Sequence, residues 1–204
     1  MDLEKLLEVI QAQRHDFLNH LQVISGFLQL NKPERIREYI ELVTADMSVM
    51  SQTSRFKIPE LTAVLLVSFN EAAKYQAEMK LTVNSNLGGC TVPGPVVGRA
   101  LESVIDSFLA NLCSSVSCTK IFKVGLSENG TGYTICLSSP AFFIEDPVLL
   151  KKDLEPVKEV LNKYSGELRT SLLRDRIKIF LDLPGKQGKW ADYWLTGSCQ
   201  SKAL

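Results

Sequence analysis

Histidine is scarce in this sequence, and cysteine forms no recognisable pattern. Only His15 and His20 occur in 204 residues, and no metal-ligand spacing includes either of them. The five cysteines are an odd number with no disulfide framework, which argues against a disulfide-stapled secreted domain. We therefore expect reduced thiols in a cytoplasmic protein.

Long apolar runs and an excess of one charge are also missing. No apolar stretch approaches the length of a membrane span, and no signal-peptide pattern opens the chain. The 23 basic and 23 acidic residues balance, with no basic stripe and no interleaved aromatics of the kind that bind nucleic acid. We expect a soluble chain with neither a membrane nor a nucleic-acid partner.

What is present is a long amphipathic pattern at the start of the chain. Its apolar positions alternate in steps of four and three, and only Arg14 interrupts them: Leu3, Leu7, Ile10, Arg14, Phe17, Leu21, Ile24 and Leu28. This heptad seam predicts a long helix that packs against other helices. His15 lies at the flank of the seam and should be partly exposed, with Asn19 one turn further on the same face.

A second helix is predicted directly afterwards. Asn31 is the expected N-cap, Pro33 suits the first turn, and Glu34 completes a capping-box spacing. Its seam follows the same steps: Ile36, Ile40, Val43, Met47 and Met50. Because the linker is very short, the two helices should form an antiparallel hairpin. The apolar face of the first helix is too wide for one partner helix to cover. This predicts that two hairpins dimerise into a four-helix bundle.

Beyond residue 56 the pattern changes to mixed helices and strands. Helices are predicted over 59–75, 96–112 and 153–164, and strands over 81–83, 120–126, 133–137, 168–173 and 176–183. This order predicts an open, mixed sheet with helices on one face. The expected fold class is α+β, with a helical hairpin domain at 1–56, an α/β domain at 57–184 and a tail at 185–204.

The hexapeptide Arg-His-Asp-Phe-Leu-Asn at residues 14–19 carries the candidate chemistry. The imidazole of His15 is neutral and nucleophilic near physiological pH, so it can carry a phosphoryl group. Arg14 can offset phosphoryl charge, Asp16 can fix the imidazole tautomer, and Asn19 can hydrogen-bond the phosphoryl group or a water. Each of these residues also has a purely structural interpretation. The His-Asp pair can be a solvated surface pair, Arg14 can fix the register of the helices in the bundle, and Asn19 can be a polar residue beside the seam.

Residues 14–22, Arg-His-Asp-Phe-Leu-Asn-His-Leu-Gln, resemble the phosphoacceptor box of citrate-sensor and quorum-sensor kinases. The resemblance is strongest to the related sporulation initiation phosphotransferase B family. It implies a dimeric hairpin joined to a degenerate histidine-kinase ATPase-like α/β sandwich. It also implies a phosphorelay phosphotransferase in which His15 passes a phosphoryl group between the aspartates of response-regulator receiver domains. The receiver would bring Mg²⁺, and this chain would hold no cofactor tightly.

Along this resemblance, the three nucleotide-binding motifs of the kinases are altered. Ser107 stands in place of the asparagine that helps to hold magnesium, and Ser139 in place of the aspartate that binds adenine. The motif glycines are replaced by side chains: Ala141, Phe143, Lys151 and Asp153. Serine is a weaker acceptor than a carboxylate, and side chains block the backbone approach to phosphates that glycines allow. The resemblance therefore implies transfer without ATP binding.

Two other functions fit the same sequence. One is a two-component histidine kinase without a sensor, which would acquire an acid-labile phosphate from ATP. The other is a non-catalytic dimeric scaffold or kinase inhibitor, which would acquire phosphate from neither ATP nor a phosphorylated receiver.

Overall fold

The computed structural model describes residues 3–113, 118–173 and 175–186. The helices are α1 (Leu3–Gln29), α2 (Pro33–Thr53), α3 (Pro59–Lys74), α4 (Gly94–Ala110), α5 (Pro147–Asp153) and α6 (Glu155–Asn162). The strands are β1 (Ala77–Val83), β2 (Lys120–Asn129), β3 (Gly132–Pro140), β4 (Glu167–Leu172) and β5 (Arg176–Pro184). The greater part of the predicted tail, 187–204, lies outside the described residues.

The two predicted N-terminal helices are confirmed, but the turn between them differs from the prediction. Asn31 has a φ of 51° and does not cap α2, whose N-cap position is taken by Lys32 without a side-chain bond. The Lys32 amide donates to the Phe27 carbonyl and the Asn31 amide to the Leu28 carbonyl. This is the helix-ending arrangement that asparagine supports in the left-handed conformation. Asn31 therefore terminates α1, and Pro33 opens α2 as predicted.

The C-terminal part contains a single five-stranded sheet in the order β1-β2-β3-β5-β4. β1 and β2 are parallel, and the other neighbouring strands are antiparallel. The turn between β2 and β3 is closed by the Asn129 side-chain oxygen, which accepts from the amides of Thr131 and Gly132. The predicted open, mixed sheet is therefore confirmed.

The helices cover one face of this sheet. The rings of Phe108 on α4 and Phe122 on β2 lie 5.0 Å apart between their centroids, and both are fully buried. The inward side chains of the central strands are buried with them: Val124, Leu126, Ile135, Leu137, Ile179 and Leu181. This packing, together with the hairpin, confirms the α+β class.

The helix predicted over 153–164 corresponds to α6 (Glu155–Asn162), and the short helix α5 (Pro147–Asp153) that precedes it was not predicted. Pro156 lies in the first turn of α6. A proline interior to one continuous helix would remove a hydrogen bond and clash with the preceding turn, so the chain restarts the helix there instead. The two helices are therefore separate and meet at Leu154.

The hairpin contacts the α/β part near the start of α1. Val9 is 7% exposed, and the Glu8 carboxylate lies 3.0 Å from the Lys74 ammonium of α3. Hydrogen bonds from Lys74 to Glu71 and to Glu8 raise the pKa of the Lys74 ammonium. Near the other end of α3, the Thr62 hydroxyl donates to the Thr53 carbonyl of α2. These contacts leave the following turns of α1, which carry His15, outside the interface.

The other face of the sheet carries a buried carboxylate. Asp182 is 2% exposed, accepts from the Thr134 hydroxyl at 2.7 Å and from Arg169 Nε at 2.6 Å, and pairs with the same guanidinium through Nη2. The guanidinium carbon of Arg169 also lies 5.3 Å from the centre of the Phe180 ring. The pair thereby ties the edge strand β4 to β5.

Replacing Arg169 by methionine is expected to destabilise the protein by roughly 3 kcal/mol, because a buried charge loses its partner. Urea unfolding at neutral pH measures this loss. Lys123→Met, an exposed lysine on β2, is the matched control and should change the unfolding free energy by less than about 0.5 kcal/mol. Equal effects of the two substitutions would contradict a stabilising role for the Asp182 pair.

Candidate functional site

His15 projects from the middle of α1 into solvent. Its side chain is 75% exposed and that of the neighbouring Asp16 is 70% exposed. The predicted exposure of His15 is therefore confirmed. Within the part of the chain that the structure describes, Nε2 of His15 has no hydrogen-bond partner. This nitrogen is open to a reaction partner that approaches from solvent.

The other ring nitrogen of His15 faces two polar side chains. Asn19 Nδ2 lies 3.1 Å from His15 Nδ1, across one helical turn. Asp16 Oδ1 lies 3.7 Å from the same nitrogen, which is too long for a hydrogen bond. The structure thus brings Asp16 and Asn19 together at Nδ1, and the helical spacing predicted this proximity to His15 for Asn19 alone.

Arg14 is exposed on the same helix. Among the described residues its guanidinium forms no ion pair, so no local contact fixes it. A guanidinium at this place is available to an anionic group that arrives from outside. Its predicted role at the phosphoryl group stays a prediction, as do the roles of the other three residues.

A groove of about 660 Å³ runs between α1 and α2 beside the site. Asp16 and Asn19 line it, together with apolar side chains such as Phe17 and Met47. At its base, His20 Nδ1 lies 2.9 Å from the Tyr39 hydroxyl. The second histidine therefore links the two helices, a contact that was not predicted because the pairing of faces across the hairpin is not visible in the spacing of either helix alone.

The seam of the hairpin is largely uncovered in the protomer. Among the described residues, seven large apolar side chains of the two seams are each about half exposed or more: Leu7, Ile10, Phe17, Leu21, Leu28, Ile40 and Met47. Monomeric proteins rarely expose apolar side chains in so continuous a row. This hairpin face is consequently suited to pack against another helical surface.

The segment that the resemblance aligns with the phosphate-binding loop of the kinases is folded as helix α5. The Asp146 side chain accepts from the amides of Val148 and Leu149 at 2.8 and 3.0 Å, so these backbone donors are already satisfied. Phe143 is 5% exposed, and Leu150 is fully buried. A loop that binds phosphate needs free amides and a close backbone approach, and these residues offer neither here.

The described residues contain no cluster of three or more histidine, cysteine or carboxylate side chains able to hold a metal ion. At the His15 site, Asp16 is the one carboxylate beside the ring, and Mg²⁺ usually takes several oxygen ligands. A metal ion at this site would need ligands from a second molecule. Separately, none of the helices in the described ranges is both long and apolar enough to cross a membrane.

Two curated proteins are similar to parts of this chain. Sporulation initiation phosphotransferase B of Bacillus subtilis is 37% identical over 71 residues, which cover 35% of this chain and 36% of that protein. Sensor protein CitS of Halalkalibacterium halodurans is 26% identical over 121 residues, which cover 54% of this chain and 22% of that protein. The chain thus spans only about a third and about a fifth of the lengths of these relatives.

Among solved structures, histidine kinase AdeS of Acinetobacter baumannii matches with a TM-score of 0.50 at 13% identity. The match covers 84% of this chain and 98% of the AdeS chain. At this identity the likeness concerns the fold alone, and that fold is the helical region followed by a mixed sheet described above. The sequence-based expectation of a kinase-like α/β part is confirmed at the level of fold.

The family match falls on the hairpin that carries His15. The family model for the alpha-helical domain of SpoOB-type sensor kinases matches residues 1–56. Together with the two curated relatives, this match confirms the resemblance predicted from residues 14–22. Residues 1–56 of this chain are therefore similar to the alpha-helical domain of SpoOB-type sensor kinases, and this similarity covers the hairpin and not the α/β part.

Proposed function

We propose that this protein is a phosphorelay histidine phosphotransferase that acts as a homodimer. His15 accepts a phosphoryl group from the aspartate of one response-regulator receiver domain and donates it to the aspartate of another. The observation that carries this proposal is the open Nε2 of His15, on an exposed helix face within a hairpin similar to the domain of this family. Nucleophilic nitrogen chemistry needs such an accessible lone pair.

The residues around His15 supply positioning and charge, which are what phosphoryl transfer chiefly requires. Arg14 contacts the phosphoryl oxygens, and Asp16 and Asn19 hold the opposite side of the ring. Asn19 also reaches the phosphoryl group or a water from one turn away. The receiver brings Mg²⁺ with its own acidic residues, so the transfer uses no tightly bound cofactor of this chain.

Dimerisation follows from the uncovered hairpin. A second hairpin packed on the half-exposed seam would remove side chains such as Leu7 and Leu21 from water. At about 25 cal/mol per Å² of apolar surface, this burial is a large driving force for association. The bundle that results leaves the flank with His15 on the outside, where a receiver can dock. We place this activity in the cytoplasm, where receiver domains are reduced and soluble.

Transfer proceeds without ATP in this proposal. Its support is the satisfied α5 amides at Asp146 and the buried Phe143. The competing proposal of a histidine kinase without a sensor is favoured by the kinase-like fold.

A radiolabelled receiver, phosphorylated with acetyl phosphate, tests the relay directly: label should move to this chain. A chain that stays unlabelled while the receiver keeps its phosphate would count against transfer.

The thermal stability of the protein should not respond to Mg²⁺-ATP. A nucleotide that binds the folded state at a hundred times its Kd stabilises it by about 2.7 kcal/mol. For a protein of this size that stabilisation raises the Tm by roughly 5 to 10 °C. Differential scanning fluorimetry with and without millimolar Mg²⁺-ATP measures the shift, and we expect less than about 1 °C. A rise of several degrees would favour the kinase.

A further inference from the structure

We propose that the C-terminal segment 190–195, Trp-Ala-Asp-Tyr-Trp-Leu, docks on its own chain by packing its aromatic rings into an apolar groove between α4 and α6. The segment lies beyond Lys186, the last described residue. Neither the groove nor the segment includes a residue of the His15 site. The inference therefore goes beyond the proposed phosphotransfer and does not depend on it.

The groove between α4 and α6 is lined chiefly by apolar side chains. Its volume is about 470 Å³, within the roughly 300–1,000 Å³ of pockets that hold ring-containing molecules. Ala100 and Val157 are buried at its base, whereas Val160 and Tyr164 are 40% and 41% exposed. Aromatic rings that cover these side chains would remove apolar surface of both partners from water, which favours docking.

The described chain ends beside the start of α4. The Thr91 amide donates to the Pro184 carbonyl at the end of β5, and the Lys186 amide donates to the Gly89 carbonyl, each over 3.0 Å. α4 begins a few residues later and carries Val96, which lines the groove, in its first turn. The chain beyond Lys186 therefore starts close to this end of the groove.

The other wall of the groove reaches the same end of the sheet. Glu167, the first residue of β4, pairs with Asp182 near the end of β5. Tyr164 lines the groove and precedes β4 by only three residues. Both walls of the groove therefore end near the point where the chain leaves β5.

The segment is close enough along the chain to reach the groove. A residue spans at most about 3.6 Å, so the six steps from Gly89 to Pro95, which lines the groove, cover no more than roughly 22 Å. The eight steps from Lys186 to Trp194 allow roughly 29 Å. A segment tethered within this range meets the groove at an effective concentration in the millimolar range. It therefore competes effectively for the groove against a second copy of the chain or a partner protein at micromolar concentration.

The segment carries side chains that suit such a groove. Trp190, Tyr193 and Trp194 occupy positions i, i+3 and i+4, the spacing that places side chains on one face of a helix. Tryptophan and tyrosine combine a large apolar ring with one polar group, which fits a groove that stays partly open to water. The spacing thus allows three rings to meet the groove together.

The charges of the segment and of the groove are complementary. Asp192 is the only charged residue of 190–195. Arg99 and Lys163 lie on the two walls of the groove, and neither forms an ion pair within the described ranges. An aspartate that enters with the rings therefore meets positive charge on either wall.

Tryptophan fluorescence observes this segment alone, because both tryptophans of the chain, Trp190 and Trp194, lie in it. In the full-length protein, acrylamide should quench this fluorescence at least about threefold less than in a synthetic peptide of residues 187–204, because docked rings are shielded from solvent. The measurement needs neither a receiver nor a nucleotide, so it is independent of phosphoryl transfer.

Two variants locate the docking site. Val160→Glu places a carboxylate in the groove, where it loses water and repels Asp192, and should lower the ratio of docked to free segment by roughly tenfold. Asp192→Lys reverses the attraction to the cations of the groove and should lower the ratio by about threefold. Val148→Glu is the control, because Val148 lies on α5, is 77% exposed and does not line the groove. This change should leave the quenching as in wild type.

Wild-type quenching equal to that of the peptide would overturn the inference. So would shielding that survives both Val160→Glu and Asp192→Lys, and Asp192→Lys decides alone if Val160→Glu fails to fold. Shielding that disappears on dilution to nanomolar protein would place the segment on a second copy, and shielding that appears only with an added receiver would place it on a partner. Either result rejects docking on the same chain, whereas a failed transfer assay leaves the fluorescence result standing.

Discussion

Replacing His15 by alanine is expected to reduce transfer from a phosphorylated receiver by roughly a thousandfold or more, to background, because the nucleophile itself is lost. The side chain is 75% exposed, so the unfolding free energy should change by less than about 0.5 kcal/mol. Radiolabel transfer and urea unfolding measure the two quantities on the same protein preparation. Loss of activity with retained stability separates a catalytic role from a structural one.

His20 provides the matched control for this prediction. It is the second histidine of the chain, sits on the same helix and bonds to Tyr39 across the hairpin. His20→Gln should keep labelling within a few-fold of wild type and lower stability modestly, by about 1 kcal/mol for one lost hydrogen bond. If His15→Ala retained transfer, or if only His20→Gln lost it, the assignment of the phosphoryl group to His15 would be wrong.

Introducing a charge into the uncovered seam is expected to dissociate the dimer. Leu21 is 47% exposed in the protomer and lies centrally on the seam of α1. Because about half of Leu21 is already covered in the protomer, Leu21→Lys removes about 0.7–1.5 kcal/mol of leucine burial from each subunit of the dimer. For two subunits this loss raises the dimer Kd by roughly tenfold to a hundredfold. Sedimentation equilibrium over a range of protein concentrations measures the change.

Leu42→Lys is the control for the seam. Leu42 is a leucine on α2, is 58% exposed and lies off the predicted seam. The same charge at this position should leave the dimer Kd within a few-fold of wild type. If the wild-type protein sediments as a monomer at micromolar concentration, this result contradicts the four-helix bundle, whatever the variants do.

Helical periodicity was sufficient to predict the hairpin and the placement of His15. The steps of four and three placed this residue on the flank of the seam, and its exposure follows from that placement. The spacing of His15 and Asn19 also predicted their contact across one turn. Sequence spacing does not specify which atoms meet, so the arrangement at Nδ1 became visible only in the structure.

The errors arose where one residue type suits two local structures. Asparagine serves both as an N-cap and as a left-handed residue that ends a helix, and at Asn31 the second role prevails. The short helix α5 was missed for another reason: its 7 residues are too few to show a helical period. Contacts between distant segments, such as Asp182 with Arg169 and Thr134, depend on strand order, which the alternation of single strands does not reveal.

The division of the chain at residues 56 and 184 stays a prediction. The proposed chemistry depends on one exposed nitrogen, Nε2 of His15. Asp16 and Asn19 contact the other ring nitrogen, Nδ1, and α5 offers no free amides to a nucleotide. The central claim is therefore that phosphate reaches His15 from a receiver aspartate and not from ATP.

The most direct test incubates the wild-type chain in two parallel reactions, one with a radiolabelled phosphorylated receiver and one with γ-labelled Mg²⁺-ATP. The account predicts acid-labile, base-stable label in the first reaction only, located by mass spectrometry on the peptide that contains His15. Label acquired from ATP, or none acquired from a receiver that other histidine phosphotransferases accept as a donor, would contradict it.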